Sequence, residues 1–147
     1  GYPNPDEELK ILKRMGNINT NLYLKAVVKP EQILSARKIV DQIHIAENIQ
    51  KYIVSLVLAT RNPSEYGLKD LTSFINFGAS PRATIFLATA SKSHAFLNKR
   101  GFVIPEDVRS VGKSILRHRI ILTYEAEAEE ITTEDIIQRI YESVPTP

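Results

Sequence analysis

The run Gly78-Ala79-Ser80-Pro81-Arg82-Ala83 constrains this chain more than any other, because it opens a long helix and puts an arginine in its first turn. Ser80 suits the N-cap, and Pro81 suits the first helical position, where the N–H it lacks would have had no partner. From Pro81 to about Leu97, the residues Ala83, Phe86, Leu87, Ala90, His94 and Leu97 fall on one face. Ala83, Ala88 and Ala90 are small enough for another helix to approach closely. This spacing predicts a core helix. Its N-terminus is a positive pole that opposes a fixed cation by roughly 0.3–1 kcal/mol. A phosphate would be favoured there twice, by the free N–H groups and by the Arg82 guanidinium. The alternative is an exposed arginine in a surface ion pair.

At 147 residues the chain can bury one main core. Lys and Arg number 19 against 17 Asp and Glu, a net +2 that is too even to indicate nucleic acid or an anionic membrane. The absence of cysteine excludes disulfides, thiolate zinc sites and a cysteine nucleophile, and it is compatible with a reducing, cytoplasmic setting. No run approaches about 18 apolar residues and the start lacks the zones of a signal peptide, so a soluble chain with no membrane span is expected. Gly1-Tyr2-Pro3 has no initiating methionine and leads within a few residues into a helix, which reads as an excised fragment.

Asn4-Pro5-Asp6-Glu7 carries a cap, a proline and first-turn acids, and predicts a helix from Pro5 to Met15 that stops at Gly16. Asn17 to Val28 reads as a linker with a short extended end. Lys29-Pro30-Glu31 opens a second helix to about Val40, and Gln42 to Ile45 is a candidate short strand that pairs with Phe102 and Val103. Ala46 to Thr60 returns to helical spacing, with Ile49, Tyr52, Ile53, Leu56, Val57 and Leu58 as an apolar stripe. Arg61 to Phe77 reads as a loop with a helical turn near Leu68 to Phe74. A proline-started helix is predicted from Pro105 to about His118, followed by an extended segment at Ile120 to Tyr124 and an acidic solvated stretch at Glu125 to Glu130. Thr132-Thr133-Glu134-Asp135 resembles a capping box for a last helix through about Ser143, with Ile136, Ile137 and Ile140 facing inward. The fold class is therefore mainly α, a helical bundle with two or three very short strands.

Gly112-Lys113-Ser114 has the ending of a phosphate-binding P-loop, but Asp107 stands where its first glycine belongs and the segment lies inside a predicted helix. His44, His94 and His118 are too dispersed for a metal site, and His94 reads as a hydrogen-bonded core histidine. Lys92, Lys99 and Arg100 read as a solvated basic face. The pairs Glu106-Asp107 and Glu134-Asp135 sit at helix starts, where capping accounts for them. No catalytic constellation stands out, so the chain reads as a sensing piece that offers one arginine to a site built by other residues. A competing reading is a stand-alone binding module, with Pro105 to Arg119 as a recognition helix and Arg109, Lys113, Arg117 and Arg119 on phosphates. The near-neutral charge and the lack of residues suited to base edges count against nucleic acid.

Several segments together resemble the C-terminal, lid-bearing region of MoxR-type AAA+ ATPases. They are Tyr2-Pro3 with the acidic helix after it, Tyr52 through Arg61, Gly78 to Ala83, Val103 to Val108, and Leu116 to Ile120. The resemblance covers nearly the whole chain, with one departure at Asn98 to Phe102, where the family usually has a glycine-arginine turn before the valine. It implies that residues 1–16 end an ATPase core, that 17–29 link and that 30–147 form an AAA+ lid-type bundle. It further implies that Arg82 is the sensor 2 residue, flanked in the ATP site by Ser80 and Pro81, and that the P-loop and Mg²⁺-binding motif precede Gly1. Such a fragment would hydrolyse no ATP alone. The family's proteins form ring oligomers, usually hexamers, and assemble or activate partner complexes, often with von Willebrand A domain proteins.

Overall fold

Proline at the first helical position opens α1 (Pro5–Met15) and α2 (Pro30–Gln42) in the computed structural model, which describes residues 2–16 and 25–147. Residues 17–24 of the expected linker lie outside the described residues. The chain divides into two compact units, Gly1–Ile33 and Leu34–Pro147.

In the first unit α1 is set by local chemistry. Asn4 Oδ1 accepts from the Glu7 N–H at 2.9 Å, and Glu7 Oε2 accepts from the Asn4 N–H at 3.0 Å, a reciprocal box that satisfies two otherwise orphaned donors. Asp6, Glu7 and Glu8 in the first turn and Lys13 and Arg14 in the last complement the dipole. Leu9, Ile11, Leu12 and Met15 remain exposed.

The second unit continues with α3 (Glu47–Ala59), 3₁₀ turns at Pro63–Tyr66 and Lys69–Ser73, β1 (Ile75–Phe77), α4 (Pro81–Leu97) and α5 (Pro105–Leu116). It ends with β2 (Ile121–Leu122), α6 (Tyr124–Ala128) and α7 (Thr133–Ser143). This is the expected mainly helical bundle with very short strands. β1 and β2 pair antiparallel, Ile75 opposite Leu122 and Phe77 opposite Ile121, with an irregularity between the two pairs. The expected pairing of Ile43 to Ile45 with Phe102 and Val103 is reduced to one parallel bridge between His44 and Phe102, closed by the hydrogen bonds His44 N to Gly101 O and Val103 N to His44 O, both 3.0 Å.

Three sequence expectations are corrected. The segment Arg61 to Phe77 carries the helical turn expected near Leu68 to Phe74, as the 3₁₀ turn Lys69–Ser73, but the rest of it is not loop, since it also forms the 3₁₀ turn Pro63–Tyr66 and β1. The acidic stretch after Thr123 folds as α6, because the Thr123 hydroxyl caps the Ala126 N–H and Ala126 is buried. The inward face of α4 is Ala83, Leu87, Ser91 and Ala95, while Phe86 and Leu97 are 44% and 76% exposed. Three of these four side chains, spaced at four-residue intervals, are small, and they let α4 lie close to α3 and α5 around the single large residue Leu87. Gly112 serves the same end on α5. A Cβ there would sit 1.8 Å from the Tyr141 hydroxyl oxygen, so the glycine belongs to packing.

Asp107 locks α5 to α4. Its side chain is fully buried, a costly place for a carboxylate unless donors surround it. Oδ2 accepts from the Ile104 N–H at 2.9 Å and from Arg100 Nη1 at 2.7 Å. Oδ1 accepts from Arg100 Nη2 and lies 2.6 Å from His94 Nδ1, which faces the ionised oxygen and therefore carries its hydrogen. Burial pushes the Asp107 pKa up, but the Arg100 fork, the Ile104 N–H and His94 outweigh it and hold the group at about 2. His94 is thus hydrogen-bonded as expected, though its side chain is only half-buried.

A carboxylate whose pKa is depressed on folding stabilises the native state above its unfolded pKa, and that stability is lost as pH falls from about 4 to about 2. Over this window the bond network should account for about 2 kcal/mol. Urea denaturation at pH 7 and at pH 2.5 should show that loss, with a smaller acid dependence in Asp107→Asn. At pH 7 the same variant should lose about 3 kcal/mol, because it strands the Arg100 charge; unchanged stability would exclude the lock.

Candidate functional site

Every α-helix of the described residues except α4 has an acidic residue in its first turn. α4 has Arg82 there instead. Its side chain is exposed and makes no hydrogen bond or ion pair with a described residue, so the surface ion pair that offered the alternative explanation is not formed. Ser80 occupies the N-cap position with extended backbone (φ −72°, ψ 166°), yet its hydroxyl caps nothing. The reason is local: the Ala83 N–H bonds the Ser80 carbonyl at 2.8 Å, so the main chain already satisfies that donor. Ser80, Pro81 and Arg82 thus share one exposed helix start whose partial charge is positive and uncompensated.

The turn leading into this helix is held from two sides. β1 anchors it through its pairing with β2, and the end of α3 grips it directly. Thr60, fully buried, donates its hydroxyl to Val57 O at 2.7 Å and accepts from the Ala79 N–H at 2.9 Å. Arg61 Nε donates to Ala79 O at 2.6 Å. Gly78 lies so close to this segment that a Cβ would come within 2.3 Å of Thr60 O. Only glycine permits that approach.

Phe86 lies one helical turn beyond Arg82, on the same side of α4, and carries the Arg119 guanidinium over its ring at 5.0 Å. Arg119 also bonds Ile115 O in the last turn of α5, where its charge complements the helix dipole. Beside α4 runs a groove of about 700 Å³ whose walls include Ile45, Ile53, Val54, Ile85 and Ala88.

The other candidate cations are mostly occupied. Arg109 donates to the Tyr52 hydroxyl, Tyr141 O and the Thr146 hydroxyl. Arg117 pairs with Glu134 at 3.5 Å, Lys92 donates to Asp41 O at 2.9 Å, and Arg100 is bound to Asp107. Three of the four basic residues of the recognition-helix reading, Arg109, Arg117 and Arg119, therefore have internal partners. Among the described residues no group of three or more His, Asp or Glu is placed to hold a metal. Sequence reasoning missed Thr60 and Arg61 as determinants of this site. They stood out only as the end of the segment Tyr52 through Arg61 in the family resemblance, and nothing local ties a Thr-Arg pair after a helix to a turn 18 residues away.

Residues 71–140 match the family model of the AAA lid domain. Over its whole length the chain is 39% identical to the chaperone MoxR1 of Mycobacterium tuberculosis, of which it covers 38%. Over 67% of its length it is 33% identical to the protein MoxR of Methylorubrum extorquens, covering 30% of that protein. A crystal structure of a candidate ATPase from Cytophaga hutchinsonii superposes on the whole chain with a TM-score of 0.92 at 43% identity, the chain covering 44% of it. The chain thus spans about two fifths of the length of the relatives that it matches end to end.

Gly78→Ala tests the tightness of the turn. The added methyl meets backbone rather than a movable side chain, so stability should fall by about 1–3 kcal/mol. Exchange of the Ala79 amide should accelerate as the Thr60 hydroxyl loses its grip. Denaturation and amide exchange identical to the parent chain would contradict the contact.

Proposed function

We propose, for a chain that belongs to the MoxR-type AAA+ ATPases and carries their lid domain, that Arg82 is the lid's sensor arginine, reaching the γ-phosphate of ATP bound by a core outside these residues. The observation that carries this reading is the first turn of α4, where an exposed guanidinium with no partner among the described residues stands on a helix N-terminus that lacks any acidic residue. Such an arrangement fits an anion: the fork offers paired donors to phosphate oxygens and the helix terminus adds its own positive potential.

ATP, when bound, supplies a phosphoryl group whose transfer to water develops charge on the γ-oxygens. Arg82 meets that charge with a fixed cation, the kind of preorganised contact that lowers the barrier without a proton transfer. Ser80 and Pro81 fix the helix start from which it projects. The groove beside α4 mixes apolar walls at Ile45, Ile53 and Ile85 with polar groups at His44, Gln50 and Thr84, and so offers contacts to both the flat face and the polar edge of a nucleobase. Mg²⁺ would be held by carboxylates of the core. Residues 1–16 are assigned to the end of that core, 17–29 to a link and 30–147 to the lid.

Because Arg82 belongs to the lid and the phosphates to the core, hydrolysis removes a contact between the two and so couples turnover to lid movement. In the whole protein this coupling would drive chaperone-like remodelling by a cytoplasmic ring, with neighbouring subunits and client complexes, von Willebrand A domain proteins among them, as partners. The lid alone would hydrolyse no ATP.

In the protein carrying both core and lid, Arg82→Ala should lower ATP turnover on the order of 100-fold, with Arg82→Lys retaining part of the rate. Turnover of the alanine variant within about twofold of the unaltered protein removes Arg82 from the mechanism.

A further inference from the structure

The stretch of main chain most closely held near Arg82 is that of Ala79, which is fully buried. Its N–H and its C=O are bound by successive side chains, Thr60 and Arg61, that follow the last turn of α3. The Thr60 hydroxyl is itself fixed by its bond to Val57 O, inside α3. The grip therefore runs from α3 through two hydroxyl bonds to Ala79, and Arg82 lies three residues further on. Beside it the backbone of Gly78 touches the backbone of Thr60 and Arg61 with no side chain between, so the two segments cannot slide past each other.

This geometry sets the rotational phase of α4. The helix begins at Pro81, and its direction is decided by the peptide planes of residues 79 and 80. A shift there turns the first helical turn as a unit and swings a long side chain through a wide arc. A misplacement of about 1 Å in a reacting complex costs on the order of 100-fold. We infer that Thr60 and Arg61 are positioning residues for Arg82, joining α3 and the start of α4 into one body so that the guanidinium is presented in a single direction. This inference rests on the reading of Arg82 as a phosphate contact.

Thr60→Val keeps the side-chain shape and removes both hydroxyl bonds; Thr60→Ser keeps the hydroxyl. The protein carrying core and lid is assayed for kcat and KM for ATP with each variant, alone and combined with Arg82→Ala. Thr60→Val should lower kcat about tenfold, Thr60→Ser should restore it to within about twofold, and Thr60→Val should add no further loss in the Arg82→Ala background, since residues that act as a unit are not additive. A purely structural role predicts losses that multiply in the double variant, and that outcome overturns the inference. So does an unchanged kcat in Thr60→Val while Arg82→Ala is impaired, which leaves the sensor reading standing. An unimpaired Arg82→Ala overturns both. If Thr60→Val fails to fold, Arg61→Met, at an exposed position, removes the bond to Ala79 O and is judged by the same cycle.

Discussion

A buried carboxylate holds the helices of the second unit in place. Asp107 belongs to the first turn of α5, but its donors come from α4, from the turn after α4 and from its own helix cap. An ionised oxygen without these donors would be prohibitively costly to bury, so the angle between α4 and α5 cannot relax without stranding the charge. The chain path follows from this demand. Lys99 takes up the left-handed region at φ 57° so that the chain reverses within two residues and brings Arg100 beneath α5. Arg100 then spans the turn, with one nitrogen shared between Asp107 and the Phe102 carbonyl.

The need for such a lock comes from the composition of α4. Its buried face is Ala83, Leu87, Ser91 and Ala95, which supplies close packing but little apolar area. Ser91 even buries a hydroxyl with no partner among the described residues. Ile85, Phe86 and Leu97 point outward, with Phe86 partly covered by Arg119. A helix held mainly by small residues gains precision of approach rather than burial, and polar contacts at its ends make up the difference.

What the sequence made legible was whatever depends on neighbours along the chain. The boxes at Asn4–Glu7 and Thr132–Asp135, the proline starts and the exposed place of Arg82 all follow from contacts within four residues. Asp107 was half legible: it does cap α5, as its position suggests, but its burial depends on Arg100 and His94 arriving from another helix and turn. β1 was invisible because three residues carry no readable alternation and its register is set by β2, far along the chain. The inward face of α4 was misjudged because Phe86 and Leu97 are larger and more apolar than Ser91 and Ala95, and size was taken for burial. Thr60 and Arg61 were silent for a related reason, since a threonine at a helix end has no sequence mark that distinguishes a buried clamp from a surface residue.

The two ends of α4 differ in how they are fixed, and that difference bears on what the helix can transmit. At the N-terminus the grip is on the main chain of Ala79, which leaves the first-turn side chains free. At the C-terminus the grip is on side chains, His94 and Arg100, and it ends in a charge that cannot move alone. Between them, 17 residues form a rod about 25 Å long whose buried face is too closely packed to bend locally. A pull on Arg82 would thus be carried as motion of the whole helix, with α3 at one end and α5 at the other obliged to follow. The polar contacts at the two termini are what make a single arginine mechanically continuous with the rest of the bundle.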